Sequence, residues 1–342
     1  MMTSVGLSAP ETAASVRATT MRFTEIDWRD HRFEPFTIAE VIEEGLPDLS
    51  DRLDEEIGLT SREVRMLRLG TLPLYECLRP LASLKRHPGL ILALPETTTT
   101  IPFDDGKFMK RLSIQTKEAF NLDKSTASFK GRAGGMRAIG HAYTRIQNGE
   151  DDFLIAAGLD TYRDLYILGT MDMEKRVKST AHLDGFIPGE GAGFVLLASR
   201  TEAERAELSP LASITSVIED FEEGHLYSKK PYLGNGLARA FQEFFQGNGV
   251  HDPIQEVYSS MNGENHWAKE WGVAFMRNQE HFNPQYRIHH PADCFGDTGA
   301  ACGPILAGLA SIGMKQGYRK CPALIYGSSD HGERAVLAIG SP

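Results

Sequence analysis

The side chains best suited to covalent or acid–base chemistry in this 342-residue chain are four cysteines, eleven histidines and scattered carboxylates. Cys77, Cys294, Cys302 and Cys321 lie far apart without a CxxC spacing, so reduced, mostly buried thiols are expected rather than a disulfide scaffold or zinc ribbon. His289, His290 and Cys294 are metal-ligand types close in sequence, but their spacing matches no standard site and no fourth ligand follows; no metal and no cofactor are expected. Asp297, Asp330, His331 and His266 are the types from which a hydrolase or metal site is assembled, although nothing in their spacing joins them. Ser125 and Ser128 offer hydroxyls with no evident base, and read as caps or turns. Gly131-Arg132-Ala133-Gly134-Gly135, at the start of a helix, could present backbone N–H groups to a phosphate or carboxylate.

These residues must be held by ordered elements, and the chain has the composition to supply them. With 41% hydrophobic and 24% charged residues it is an ordinary globular sequence, long enough for two packed halves. No apolar run approaches the roughly 20 residues of a membrane helix, and the N-terminus lacks a signal-peptide pattern, so a cytoplasmic protein is expected. The net charge of −10 argues against a nucleic-acid surface. One local basic stretch runs from Lys107 to Arg137, and a solvated face is its simplest reading.

Residues 1–20 read as a flexible arm, with order beginning near Met21. Short helical pieces are expected around Ile38–Glu44. Thr60–Glu63 has the form of a capping box opening a helix that Pro73 should kink or divide. Leu90–Leu94 and Phe153–Ala157 read as buried strands, with a helix between them carrying Met136, Ile139, Tyr143 and Ile146 at helical spacing and stopping at Asn148-Gly149. In the second half, strands are expected at Ala212–Ile218, Glu256–Ser260, Ala323–Tyr326 and Ala335–Ile339. Helices are expected at Leu237–Phe245 and Thr298–Lys315.

The string DGFIPGEGAGFVLL, from Asp184 to Leu197, is a Gly-rich loop feeding an apolar strand, and it resembles the GEGAG segment of β-ketoacyl synthases in the thiolase superfamily. AIGHA with NGEDDFLIAAGLD, FGDTGAACG and YGSSDHGERAVLAI also resemble segments of that family, in the right order from about Thr60 to the C-terminus. The resemblance implies an α/β, thiolase-like fold: two pseudo-repeated halves, 21–200 and 201–342, with mixed five-stranded sheets in a layered αβαβα arrangement. It also implies a Cys nucleophile at a helix N-terminus and two His residues. Aligned on Ile139-Gly140-His141-Ala142, the nucleophile's place falls on Arg132, and there is no Cys from Leu78 to Asp293. The family His positions fall on Met261 and Gly296.

All three catalytic positions thus depart from the family pattern while the scaffold strings persist. A catalytically inactive protein is expected, acting as a protein-binding partner, scaffold or chaperone, either for a secretion effector or beside an active synthase. The alternative is an acyltransferase using acyl-CoA or acyl carrier protein through a non-standard site. Asn262, Glu264, Asn265, His266, Asp297, Asp330 and His331, with Arg132, are the candidate cleft residues. The segments holding them, SSMNGENHWAKEWG and GSSDHGER, read equally well as solvated loops. The resemblance implies a homodimer or heterodimer.

Overall fold

The computed structural model describes residues 1–54, 56–84, 86–97, 103–247 and 252–342. The first half contains β1 (Met2–Thr3), α1 (Ala9–Arg17), β2 (Thr24–Arg29), β3 (Pro35–Ile38), α2 (Ser61–Leu78) and β4 (Gly89–Leu94). It continues with α3 (Asp105–Gln115), β5 (Asn121–Phe129), α4 (Gly131–Gln147), β6 (Phe153–Thr161), α5 (Leu165–Met173) and β7 (Glu190–Ala198). After α6 (Arg200–Arg205) come β8 (Ser213–Phe221), α7 (Asn235–Gln246), β9 (Ile254–Ser259) and α8 (Asn265–Asn278). The chain closes with β10 (Phe282–His289), α9 (Ala292–Phe295), α10 (Cys302–Lys315), β11 (Ala323–Ser328) and β12 (Glu333–Gly340).

The two halves repeat one topology. The first five-stranded sheet has the order β1-β7-β6-β4-β5 and the second β8-β12-β11-β9-β10. In each, three strands run parallel (β5, β4, β6 and β10, β9, β11) and the last two pair antiparallel. Helices α4 and α10 occupy equivalent places, each leading into the central strand of its sheet, and they pack on one another between the two sheets. Helices α2 and α3 cover the outer face of the first sheet, and α7 and α8 that of the second. The layers are therefore αβαβα. β4, β6 and β11 are buried at every residue, as strands covered on both faces must be. A small fourth cluster joins the β2–β3 hairpin to α5 through Phe36, Ile38, Ile167, Leu168 and Met171.

The capping box is present: Thr60 Oγ1 accepts from Glu63 N while the Glu63 carboxylate accepts from Thr60 N. Several expectations need correction. Residues 1–20 are not a flexible arm: β1 adds the fifth strand to the first sheet, pairing Met2 with Ala192, and α1 is capped by Ser8. The backbone pairing and the burial of Met1 and Met2 fix a segment whose composition alone looked loose. Pro73 does not divide α2, because Leu67, Leu69 and Leu74 on both sides of it are buried in one core. Around Ile38–Glu44 the chain is the end of β3 and a single 3-10 turn at Glu43–Gly45. The helix expected from Thr298 starts with a separate 3-10 turn at Gly299–Ala301 before α10. Among the described residues no helix is long and apolar enough to cross a membrane.

Candidate functional site: a buried charge cluster at the start of helix α4

Loops at the carboxyl ends of the central strands of both sheets converge on the first turn of α4. Gly131 enters that turn with φ +55°, and a Cβ there would stand 2.7 Å from Glu96 Oε2, so glycine is required by both backbone and space. The next residue, Arg132, is 3% exposed. Its Nε donates to Ser328 O at 2.9 Å, one terminal nitrogen to Asp297 Oδ2 at 2.7 Å, and the other to Asp330 Oδ1. Its guanidinium lies 4.5 Å from the centre of the Trp267 ring. A cation at a helix N-terminus is unfavourable, and the two carboxylates offset that cost. The free helix N–H of Ala133 is taken by Ser329 Oγ at 2.9 Å.

A second arginine extends the cluster. Arg176, after α5, forks onto Glu264 at 2.8 and 2.9 Å and donates to Asp330 Oδ2 at 2.6 Å and Tyr227 OH at 3.0 Å. Asn262 Nδ2 bridges Glu264 and Asp297 at 3.0 and 2.8 Å, and Trp267 Nε1 donates to Glu264 at 2.9 Å. Burial works to raise the Asp330 carboxyl, but Arg132 and Arg176 override it and hold it well below the usual range. Glu264 is likewise lowered, by Arg176 against burial. Asp160 beside the cluster goes the other way: burial pushes it up to about 6 despite Arg62. The space left between Arg62, Glu96, Arg132, Asp160, Tyr162 and Asp330 is about 20 Å³. That is room for about one water.

The structure brings Arg132, Asn262, Glu264, Asp297 and Asp330 together. Beside Met261 and Gly296, the side chains that reach the cluster are those of Asn262 and Asp297. Gly296, at φ +69°, serves the backbone, where a Cβ would meet Ile187 O at 2.7 Å. Asn265 is exposed and its N–H bonds Asp184. His266 stacks on Tyr232 with centroids 4.1 Å apart, its Nε2 buried and unpartnered, and burial lowers its pKa. His331 lies on Tyr227 and is hydrogen-bonded by Glu96 at 3.4 Å. The hydrolase arrangement of Asp297, Asp330, His331 and His266 is therefore not assembled: Arg132 separates the carboxylates, and each imidazole has other neighbours. The two divergent segments are not solvated loops: Asn262, Glu264, Trp267, Ser328, Ser329 and Asp330 are buried.

The other reactive types are placed elsewhere. Ser125 and Ser128 sit in β5, not at a cap; Ser125 Oγ accepts from Leu90 N and donates to Asn121 O. His289 pairs with Glu256 and His290 with Ser259, so neither joins Cys294. Cys294 and Cys302 are buried and burial raises both thiols; Cys77 is pushed up to about 12. The basic stretch is largely paired, through Arg111–Glu63, Lys124–Asp151, Lys130–Glu333 and Arg137–Glu219. Arg176 and Glu96 were not singled out from the sequence. Arg176 carries no local signal, whereas Glu96 could have been found as the charged residue just beyond buried β4.

Comparison with known proteins agrees with this architecture. Residues 132–203 match the family model for the β-ketoacyl synthase N-terminal domain. The ishigamide ketosynthase/chain length factor structure superposes with a TM-score of 0.80 at 15% identity, covering 100% of this chain and 97% of that one. The ketosynthase from module 6 of the bacillaene synthase of Bacillus subtilis 168 gives 0.80 at 13% identity, over 98% of this chain and 69% of that one. A type II polyketide synthase acyl-carrier protein in complex with its ketosynthase, AntDE:AntF, gives 0.75 at 13% identity, over 99% and 97%. No curated protein matches in sequence. The chain has the thiolase-like fold of these ketosynthases, and its residues 132–203 are similar to the β-ketoacyl synthase N-terminal domain.

Proposed function

We propose that this protein is a non-catalytic ketosynthase-like subunit that works by binding another protein, as a scaffold, a chaperone or the partner of an active synthase. The observation that carries the reading is Arg132: at the helix N-terminus where the family resemblance implies a nucleophile, a 3% exposed guanidinium is locked between Asp297 and Asp330. A guanidinium cannot accept an acyl group. The raised pKa values of Cys294 and Cys302 keep these thiols protonated and poorly nucleophilic. The cavity beside Arg132, about 20 Å³ among the described residues, has room for about one water and not for an acyl chain. A protein partner is supported by the similar structures: one is a ketosynthase/chain length factor, and another is an acyl-carrier protein in complex with its ketosynthase. Four free thiols suit a reducing, cytoplasmic setting.

The acyltransferase alternative has no comparable support. The two readings separate in one experiment, intact-protein mass spectrometry after incubation with a panel of acyl-CoA and acyl-carrier-protein thioesters. The expected result is no adduct. A stable single-site acyl adduct, mapped to a cysteine or to Ser128, overturns the non-catalytic reading.

A further inference from the structure

The tip of the β2–β3 hairpin carries a second cluster, separate from the Arg132 site. One ligand-type atom from each of Asp30, His31 and Asp172 lies within 4.8 Å of the others. Asp30 is pre-oriented, because its Oδ1 accepts the backbone N–H groups of Arg32 and Glu34 at 2.8 and 2.9 Å. Asp172, 3% exposed near the end of apolar α5, accepts both the backbone N–H and Nδ1 of His31 at one oxygen, at 2.9 and 2.7 Å. The other oxygen of each carboxylate has no hydrogen-bond partner among the described residues. The His182 ring stacks over His31 at 6.5 Å, inclined by 22°.

The charge balance leaves room for a cation here. A buried carboxylate needs a cationic or hydrogen-bonding partner, and the carboxyl end of a helix adds negative potential. Among the described residues, neither Asp30 nor Asp172 pairs with a lysine or arginine, in contrast to the carboxylates around Arg132. An imidazole beside two carboxylates suits a divalent transition metal better than calcium or magnesium. We infer that Asp30, His31 and Asp172 bind a zinc-type divalent cation, with water in the remaining position, and that this fastens the β2–β3 hairpin to the end of α5. Zinc bonds of about 2.0–2.1 Å place tetrahedral ligand atoms roughly 3.3 Å apart, so Asp30 must approach while the 2.7 Å His31–Asp172 hydrogen bond opens, a movement that rotation of the half-exposed His31 ring allows.

The test is calorimetric titration of chelator-treated full-length protein with zinc chloride alone, together with the visible absorption of the cobalt-loaded form. The expected result is one saturable site per chain and a tetrahedral cobalt spectrum. His31→Ala and Asp172→Asn should each weaken binding by at least about tenfold, and His182→Gln should weaken it less. His331→Ala, at a half-exposed histidine outside the cluster, should bind as the unaltered protein does. His31 is 42% exposed and Asp172 keeps the backbone N–H of residue 31 in the variant, and a thermal melt separates any loss of fold from loss of binding. Absence of saturable binding, or binding that His31→Ala leaves unchanged, overturns the inference and leaves the imidazole itself as the partner of Asp172.

Discussion

Two neighbouring stretches of helix α4 solve opposite problems. At Gly135 the helix lies against α10 so closely that a Cβ would stand 2.7 Å from Ala300 O, and a Cβ on Gly303 would in turn stand 2.5 Å from Met136 N. This contact is apolar, backbone to backbone, and joins the two halves. One turn earlier, at Arg132, the same helix is held by charges from loops of both halves: Asp297, Asp330 and, through Arg176, Glu264. The first contact is what a thiolase-like scaffold needs in order to close. The second fills the first turn of α4 with buried charge. The difference teaches that small residues can join two halves through backbone contact while ion pairs lock the loops that meet one turn away.

The largest expected effect comes from breaking the charged contact. Arg132→Met leaves Asp297 with only Asn262 and the Gly299 N–H, and should destabilise the protein by about 3–5 kcal/mol in a denaturant titration. Pairing it with Asp297→Asn should recover part of that loss; strict additivity of the two single changes would count against the ion pair. The acid limb carries the same signature. Asp330 is depressed below 3.8 in the fold, so its contribution is fully present above that pH and is lost as pH falls through the folded value. Asp160, raised to about 6, acts in reverse: its stabilisation is complete below 3.8 and is lost as pH rises to about 6.

Next in size is the apolar contact. Gly135→Ala must push α10 or Pro304 aside, at about 1–3 kcal/mol and toward the upper end, because the obstructing atoms include backbone. A thermal melt of this variant near that of the parent would mean that α4 and α10 can slide apart, and would weaken the idea that their contact fixes the two halves.

The same contrast explains what could be read in the chain. Glycines packed against backbone and strands buried on both faces leave local traces, so β4, β6, the capped start of α2 and the α4 segment are legible in the sequence. The amphipathic pattern also marked α7. The charged contact leaves no such trace, because Arg132, Arg176, Glu264, Asp297 and Asp330 are joined only when five separate segments meet in space. For the same reason the sequence suggests solvated loops where Trp267 and Ser329 are buried. β1 was invisible for a different reason: two residues carry no periodicity, and Met2–Thr3 form a strand only because β7 presents an edge.

The smallest effect tests where the charged contact ends. Glu96 accepts the backbone N–H groups of Asp330 and His331, each at 3.1 Å, and also faces the His331 ring, so it ties the β11–β12 turn to the end of β4. The hydrogen bond to Glu96 outweighs burial and raises the His331 pKa above 6.5. A raised histidine stabilises the fold below the unfolded pKa and loses that contribution as pH rises through the folded one. Because His331 is 43% exposed, solvent screening limits the effect to under about 1 kcal/mol. An NMR titration should therefore place His331 above the ordinary histidine value, and Glu96→Gln should return it toward 6.5. If the substitution lowers the His331 pKa but leaves stability at pH 5 unchanged, the charged contact ends at Asp330. If stability falls by more than the lost ion pair can account for, Glu96 acts chiefly through the two backbone N–H groups, and the lock on the turn extends from Arg132 to the protein surface.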